Sequence, residues 1–203
     1  MLNIPLFDYD TKLRNTYAVL CGVDEAGRGP LAGPVCCAAV ILKEGYYSDV
    51  LNDSKKMSEK NRELAFQDII NNSVAYSVRL VFPDVIDQIN ILKATMLCMK
   101  DAVNTLSTKP NLVLIDGNSS PDIQDISTKL IVKGDGISAS IAAASVIAKV
   151  TRDHYMLNLH KKYPMYQFDK HKGYPTKLHY EMIEKYGVQE FHRKSFLKKR
   201  GIV

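Results

Sequence analysis

Two apolar runs, Tyr17-Ala18-Val19-Leu20 and Val35-Cys36-Cys37-Ala38-Ala39-Val40-Ile41-Leu42, are joined by a stretch that neither can bury. After Cys21-Gly22-Val23 it carries Asp24-Glu25-Ala26-Gly27-Arg28-Gly29-Pro30-Leu31-Ala32-Gly33-Pro34. Short apolar runs bounded by turn residues are buried strands, so antiparallel neighbours are expected over 17–24 and 35–42. A plain hairpin needs only a Gly or an Asn-Gly pair at its turn. Charge where a buried strand emerges is costly unless it is paired or used. Asp24 and Glu25 offer the oxygen ligands that magnesium or manganese prefer. Gly27 and Gly29 let the backbone approach a ligand closely, and the planar fork of Arg28 suits phosphate. Taken alone, the stretch is better explained as a Gly/Pro surface turn with an Asp–Arg pair. The rest of the chain changes that balance.

Two further apolar runs also lead into an acid, Leu112-Val113-Leu114-Ile115-Asp116 and Leu130-Ile131-Val132-Lys133-Gly134-Asp135. Ligands of open α/β sheets bind beyond the carboxyl ends of strands. Four carboxylates brought together there cannot all stay ionised without cations, and a pair of divalent metals is the economical explanation. Asp153, mid-helix beside Arg152, is expected in a salt bridge. Ser73 to Phe82 alternates, which predicts a strand with Val74, Tyr76, Val78, Leu80 and Phe82 on one face. One helical stretch is expected from Asp84 to about Leu106, with Ile89, Leu92, Met96, Met99 and Val103 as its core stripe. Ser58, Ser138 and Thr176 are placed to cap helices over about 59–71, 139–162 and up to Tyr186. Residues 1–16 resemble a frayed lead-in and lack the features of a signal peptide. The fold class is α/β with a mixed sheet flanked by helices.

The 203 residues carry a net charge of +5, unevenly spread. Residues 1–148 hold 14 Lys and Arg against 17 Asp and Glu, whereas residues 149–203 hold 13 against 5 and all five histidines. A basic C-terminal part beside an acidic site suits a polyanion that lies along one and reacts at the other. The interleaved Tyr163, Tyr166, Phe168, Tyr174 and Tyr180 favour nucleic acid over a merely solvated face. No apolar run approaches the length of a membrane span. Cys21, Cys36, Cys37 and Cys98 lack metal-ligand spacing and are expected to be reduced, in a cytoplasmic protein.

These residues resemble the bacterial type 2 ribonucleases H, ribonuclease HII. The matching stretches are Asp24–Pro30, Leu51-Asn52-Asp53-Ser54-Lys55-Lys56, Asn90–Met96, Leu114–Asn118, Val132–Asp135, Ala143–Asp153 and His171–Thr176. They follow the family's order over roughly residues 17–197. Arg28 separates the chain from the type 3 enzymes, whose loop lacks that arginine. Gly136–Ser140 departs from the family's more polar linker, and residues 1–16 match nothing in it.

The resemblance implies a ribonuclease H-like sheet with a helical C-terminal extension: a single domain over 1–203, its core over about 17–160 and its basic helical part over about 161–203. It implies Asp24, Glu25, Asp116 and Asp135 as catalytic carboxylates binding two Mg2+ or Mn2+ ions. It implies Gly27, Arg28 and Gly29 as readers of the ribose 2′-hydroxyl, with Tyr174, and Lys55 as a phosphate contact. The implied substrates are RNA/DNA hybrids and DNA containing ribonucleotides, cut 5′ of the ribonucleotide to leave 3′-hydroxyl and 5′-phosphate ends. No membrane is involved and a monomer is expected. Two other readings fare worse. A phosphate-cradling nucleotide module needs Gly-Lys-Ser/Thr opening a helix, whereas Gly33-Pro34 opens a strand. A non-catalytic clamp has no use for four acids that repel phosphate.

Overall fold

The computed structural model describes residues 4–52, 54, 57–198 and 200–203. Its centre is a five-stranded sheet in the order β3-β2-β1-β4-β5. The strands are β1 (Leu20–Ala26), β2 (Val35–Leu42), β3 (Ser73–Val81), β4 (Leu112–Asp116) and β5 (Ser127–Ile131). The first three pair antiparallel, as expected for a hairpin followed by a return strand, while β4 and β5 run parallel to β1. Each residue of β2 is buried, because the strand has a helix layer on both sides. Cys36, Ala38 and Val40 face α5 (Ala139–Lys162) and α2 (Glu59–Asn72), and Cys37, Ala39 and Ile41 face α4 (Ile91–Asn104). The adjacent cysteines therefore point opposite ways, and all four are free and buried.

Helix α5 crosses β1 at close range. A Cβ on Gly22 would sit 2.0 Å from the Ser140 carbonyl carbon, so only glycine lets the start of the helix pass. Ala142, Ala143, Ala144 and Ala148 keep the rest of it near the sheet. Ser58, Ser138 and Thr176 cap α2, α5 and α7 (Lys177–Tyr186) through their side-chain oxygens, as expected.

The structure corrects four expectations. The described part of the lead-in is not frayed: Ile4–Arg14 is helix α1, with Leu6 in the core. Its buried Asp10 accepts hydrogen bonds from the Ser138 hydroxyl at 2.6 Å, the Ser140 amide at 2.8 Å and the Ser140 hydroxyl at 2.6 Å. A carboxylate at the start of α5 complements that helix's dipole. The stretch after Pro83 is two helices, α3 (Pro83–Ile89) and α4, because Asn90 adopts φ 70° and caps α4 with its side chain. Strand β3 has Val74, Tyr76, Val78 and Leu80 on one face as expected, with Val78 and Leu80 against the core, but it stops at Val81, so Phe82 lies outside it; its other face buries Ala75, Ser77 and Val81 on the α4 side. The run before Asp135 is β5 only as far as Ile131. Val132 is exposed, Lys133 is left-handed, and Asp135 sits in a 3-10 turn, Gly134–Gly136.

Candidate active site

Strands β1 and β4 pair in parallel register, Val23 opposite Ile115, so the next residues, Asp24 and Asp116, emerge side by side. Both follow the pleat that faces α5, as do Ala26 and Leu114. Asp24 is buried. Burial first, then the neighbouring Glu25 and Asp116 carboxylates, hold its carboxyl well above the ordinary range, while the Ser145 hydroxyl and the Glu25 amide pull it down. The Glu25 amide donates to Asp24 Oδ1 at 2.7 Å. Asp116 Oδ1 accepts from the Gly134 amide at 2.6 Å, which ties the turn bearing the buried Asp135 to the end of β4. Glu25 Oε1 lies 3.6 Å from Arg28 Nη1. Two chain segments thus meet at Asp24, and a third is bonded to its neighbour Asp116.

The donor set is all carboxylate, the set hard divalent cations select. A dication there would offset the repulsion that raises Asp24, so the residues fit such an ion. Among the described residues no three acidic, histidine or cysteine side chains close on one point as a finished metal cage would.

The loop from Gly27 to Pro34 is held by two buried arginines. Arg193 donates from Nη2 to the Gly27 carbonyl at 2.7 Å, from Nη1 to the Arg28 carbonyl at 2.9 Å and from Nε to the Gly33 carbonyl at 3.0 Å. Arg152 donates to the carbonyls of Pro34, Ala32 and Lys172 at 3.0, 3.1 and 3.0 Å. Arg152 is thus not the partner of Asp153, which takes Lys149 at 2.8 Å instead. Burial lowers both guanidinium pKa values, that of Arg193 to about 9. Only a planar five-donor fork reaches three carbonyls at once. Arg193→Lys is therefore expected to lose at least two charged hydrogen bonds, roughly 3 kcal/mol or more, measured as a lower urea midpoint at unchanged slope.

Tyr174 stands at the other side of this loop, its ring 5.5 Å from the Arg152 guanidinium and 5.9 Å from Lys149 Nζ. Ser145 and Lys149 are one turn apart on α5. One helix face thus spans from Asp24 to Tyr174. The Leu31 amide donates to the Gly173 carbonyl at 2.8 Å and joins the two loops directly. Beside them runs a groove of about 560 Å³ with Arg28, Gly29, Pro175, Tyr180 and Arg200 in its walls. Of the residues singled out from sequence, the structure brings together Asp24, Glu25, Asp116 and the Asp135 turn, and places Gly27, Arg28, Gly29 and Tyr174 on coupled loops. Lys55 lies outside the described residues. Its neighbour Ser54 hydrogen-bonds Ser145 at 2.8 Å, hydroxyl to hydroxyl. Sequence reasoning missed Arg152, Arg193 and Ser145. Arg152 had one available signal, a charge seven residues from Ser145 on a helix whose first ten residues are buried; Arg193 had none.

A mixed sheet of this order, with acids gathered where its central parallel strands end, is that of the ribonuclease H-like nucleases. The comparisons agree. The ribonuclease HII family model matches residues 21–199. Ribonuclease HII of Caldicellulosiruptor bescii is 51% identical over 193 residues, 95% of this chain and 93% of that protein. The crystal structure of the ribonuclease H2 from Pyrococcus horikoshii OT3 superposes with a TM-score of 0.76 at 28% identity, covering 91% of this chain and 96% of that one. A structure of Bst-RNase HIII in complex with Mn2+ shares the fold, with a TM-score of 0.73 at 17% identity over 91% of this chain and 68% of that one. The chain belongs to the ribonuclease HII family, metal-dependent endonucleases of the ribonuclease H type.

Proposed function

We propose that this enzyme hydrolyses the RNA strand of RNA/DNA hybrids and also nicks DNA on the 5′ side of single embedded ribonucleotides, leaving 3′-hydroxyl and 5′-phosphate ends. The observation that carries the reading is the juxtaposition of Asp24 and Asp116 on neighbouring parallel strands, beside a loop whose backbone is fixed by Arg193. Asp24, Glu25, Asp116 and Asp135 would hold two divalent ions, magnesium or manganese. When bound, such ions supply Lewis acidity for the attacking water and the departing 3′ oxygen.

The chain's own residues do the rest. The Glu25 amide and the Ser145 hydroxyl orient Asp24, and the Gly134 amide orients Asp116, so the carboxylates are aimed before substrate arrives. The 2′-hydroxyl is what distinguishes RNA from DNA at one site. In this reading Gly27, Arg28 and Gly29 meet it with backbone groups; the hold of Arg193 on two carbonyls of that loop supports this. Tyr174 in turn stacks on the adjoining deoxyribose and sets the scissile phosphate in this reading, and Lys55, outside the described residues, contacts the phosphate backbone. Recognition and positioning are then coupled, which favours the correct substrate in the transition state. The chain acts as one domain, a core over about 17–160 and a basic helical part over about 161–203. We place it in the cytoplasm as a monomer; its four free, buried cysteines suit a reducing compartment, and no helix among the described residues is long and apolar enough to cross a membrane.

Tyr174→Ala is expected to reduce kcat/KM by roughly 10²-fold on a duplex with one embedded ribonucleotide. On long hybrids the loss is expected to be about tenfold smaller, since many registers are available there. Paired kinetics on the two substrates check this. Equal losses would reduce Tyr174 to a packing residue.

A further inference from the structure

One turn, residues 189–193, holds both loops of the site. The Arg193 amide donates to the Leu31 carbonyl at 2.8 Å, and its side chain holds the carbonyls of Gly27 and Arg28. On the Tyr174 side the turn acts through two buried imidazoles. The Gln189 amide lies 3.0 Å from His192 Nδ1 and can only donate, so that nitrogen is the acceptor. Neutral His192 then carries its proton on Nε2, which lies 3.4 Å from His179 Nε2. His179 Nδ1 lies 3.0 Å from the Tyr174 carbonyl, which can only accept. Neutral His179 therefore donates from Nδ1 and accepts at Nε2. Both tautomers follow from the backbone partners alone, and every donor in the chain points the same way, from Gln189 to Tyr174.

His171 completes the packing. Its ring stacks on His179 with centroids 4.3 Å apart. Its Nδ1 accepts from the Gly173 amide at 3.2 Å, which leaves Nε2 to donate to the Tyr166 carbonyl at 2.9 Å. The three rings are thus consistent as neutral imidazoles. Burial depresses His179 to about 3 and His192 to about 4, so both are neutral at neutral pH.

We propose that His179 is a positioning residue for reading the ribonucleotide junction: its Nδ1–H fixes the Tyr174 carbonyl, and His192 behind it fixes the tautomer, so that Tyr174 is held in register with the Gly27–Gly29 loop anchored by the same turn. The inference rests on the junction-reading role proposed for Tyr174. The Tyr174 carbonyl also accepts from the Thr176 amide at 2.8 Å within its own loop, so His179 is the donor that ties it to the 189–193 turn. Loss of that donor unties the loop from the turn without touching the carboxylates.

The test compares two substitutions with the same heavy-atom branching, one that keeps a donor and one that does not. His179→Asn places an amide N–H near the position of Nδ1 and keeps the donor, whereas His179→Leu packs but cannot donate. His179→Leu is expected to lose about 10–100-fold in kcat/KM on a single embedded ribonucleotide and several-fold less on a long hybrid. His179→Asn should stay within about threefold of wild type on both. A role in packing alone would not separate these two variants by substrate, so thermal melts run alongside serve only to show that both are folded. His192→Leu should show the same bias at smaller size; an unbiased His192→Leu would remove His192 from the chain. Equal behaviour of the Asn and Leu variants, or equal losses on both substrates, overturns the positioning role. Tyr174→Ala measured in the same assay keeps the two ideas apart: bias for Tyr174→Ala without bias for His179→Leu overturns the inference alone, and no bias for Tyr174→Ala overturns the reading beneath it.

Discussion

Asp24→Asn is expected to abolish cleavage and, in metal-free buffer at neutral pH, to make the protein more stable. The activity loss should be at least about 10³-fold, beyond the roughly 10–100-fold typical of losing a partner that only orients a metal ligand. The stability gain follows from the carboxyl's surroundings. Asp24 is buried and faces the Glu25 and Asp116 carboxylates, so its folded pKa is raised above the ordinary 3.8. The folded chain then binds more protons than the unfolded one as pH rises past 3.8, and stability falls until the folded value is passed. Asparagine has no proton to lose and no charge to bury. Its advantage should be present at neutral pH and vanish near and below the unfolded carboxylate's value, where both side chains are neutral. Added magnesium or manganese should reverse the order. An ion that binds only the folded wild type contributes about 2.7 kcal/mol at a concentration of 100 times its Kd, and Asp24→Asn should have lost most of that. Thermal melts at several pH values, with and without metal, check each arm. A variant that cleaves at the wild-type rate in magnesium would remove Asp24 from the ion-binding set.

How legible this site was depended on how local its causes are. Asp24, Glu25 and Asp116 stand out in sequence because a buried strand running into an acid is a local contradiction, and the structure places Asp24 and Asp116 on neighbouring strands. Asp135 was visible as an acid after an apolar run, but its strand was not what it seemed. β5 is exposed over four of its five residues, and the backbone turns left-handed at Lys133 before the acid arrives. Helix α1 was invisible because its reason for folding is remote: Asp10 makes sense only once Ser138 and Ser140, 128 and 130 residues later, are at hand. The same holds for Arg152 and Arg193. In sequence each adds to a basic C-terminal part that suggests phosphate; in space each is buried, and its donors are taken by backbone carbonyls of the loop. Part of the positive charge that pointed to nucleic acid is therefore internal scaffolding.

The two glycines flanking Arg28 are expected to fail in opposite ways when replaced by alanine. Gly27 has φ +93°, and a Cβ there would lie 2.0 Å from Arg152 Nε and 2.9 Å from the Pro34 carbonyl oxygen. The substitution combines backbone strain of about 1–3 kcal/mol with displacement of a buried guanidinium from carbonyls worth about 1.5–3 kcal/mol per charged hydrogen bond. Gly27→Ala should therefore cost about 3 kcal/mol or more, which for a chain of this size lowers Tm by about 6–12 °C. Gly29 carries no such burden: a Cβ there meets nothing within 4 Å and its φ is unremarkable. Gly29→Ala should melt within a degree or two of wild type. The space that its methyl would fill is open to solvent in the free enzyme, at the loop proposed to meet the ribose. A methyl there would hold the sugar off the backbone, and displacements of about 1 Å at such a contact cost about 10²-fold. Activity on single embedded ribonucleotides and on long hybrids should both fall by that order. Melting curves and kcat/KM for the pair give four numbers. A stable and fully active Gly29→Ala would mean that the ribose does not come down onto this loop, and the assignment of Gly27, Arg28 and Gly29 as its readers would fall with it.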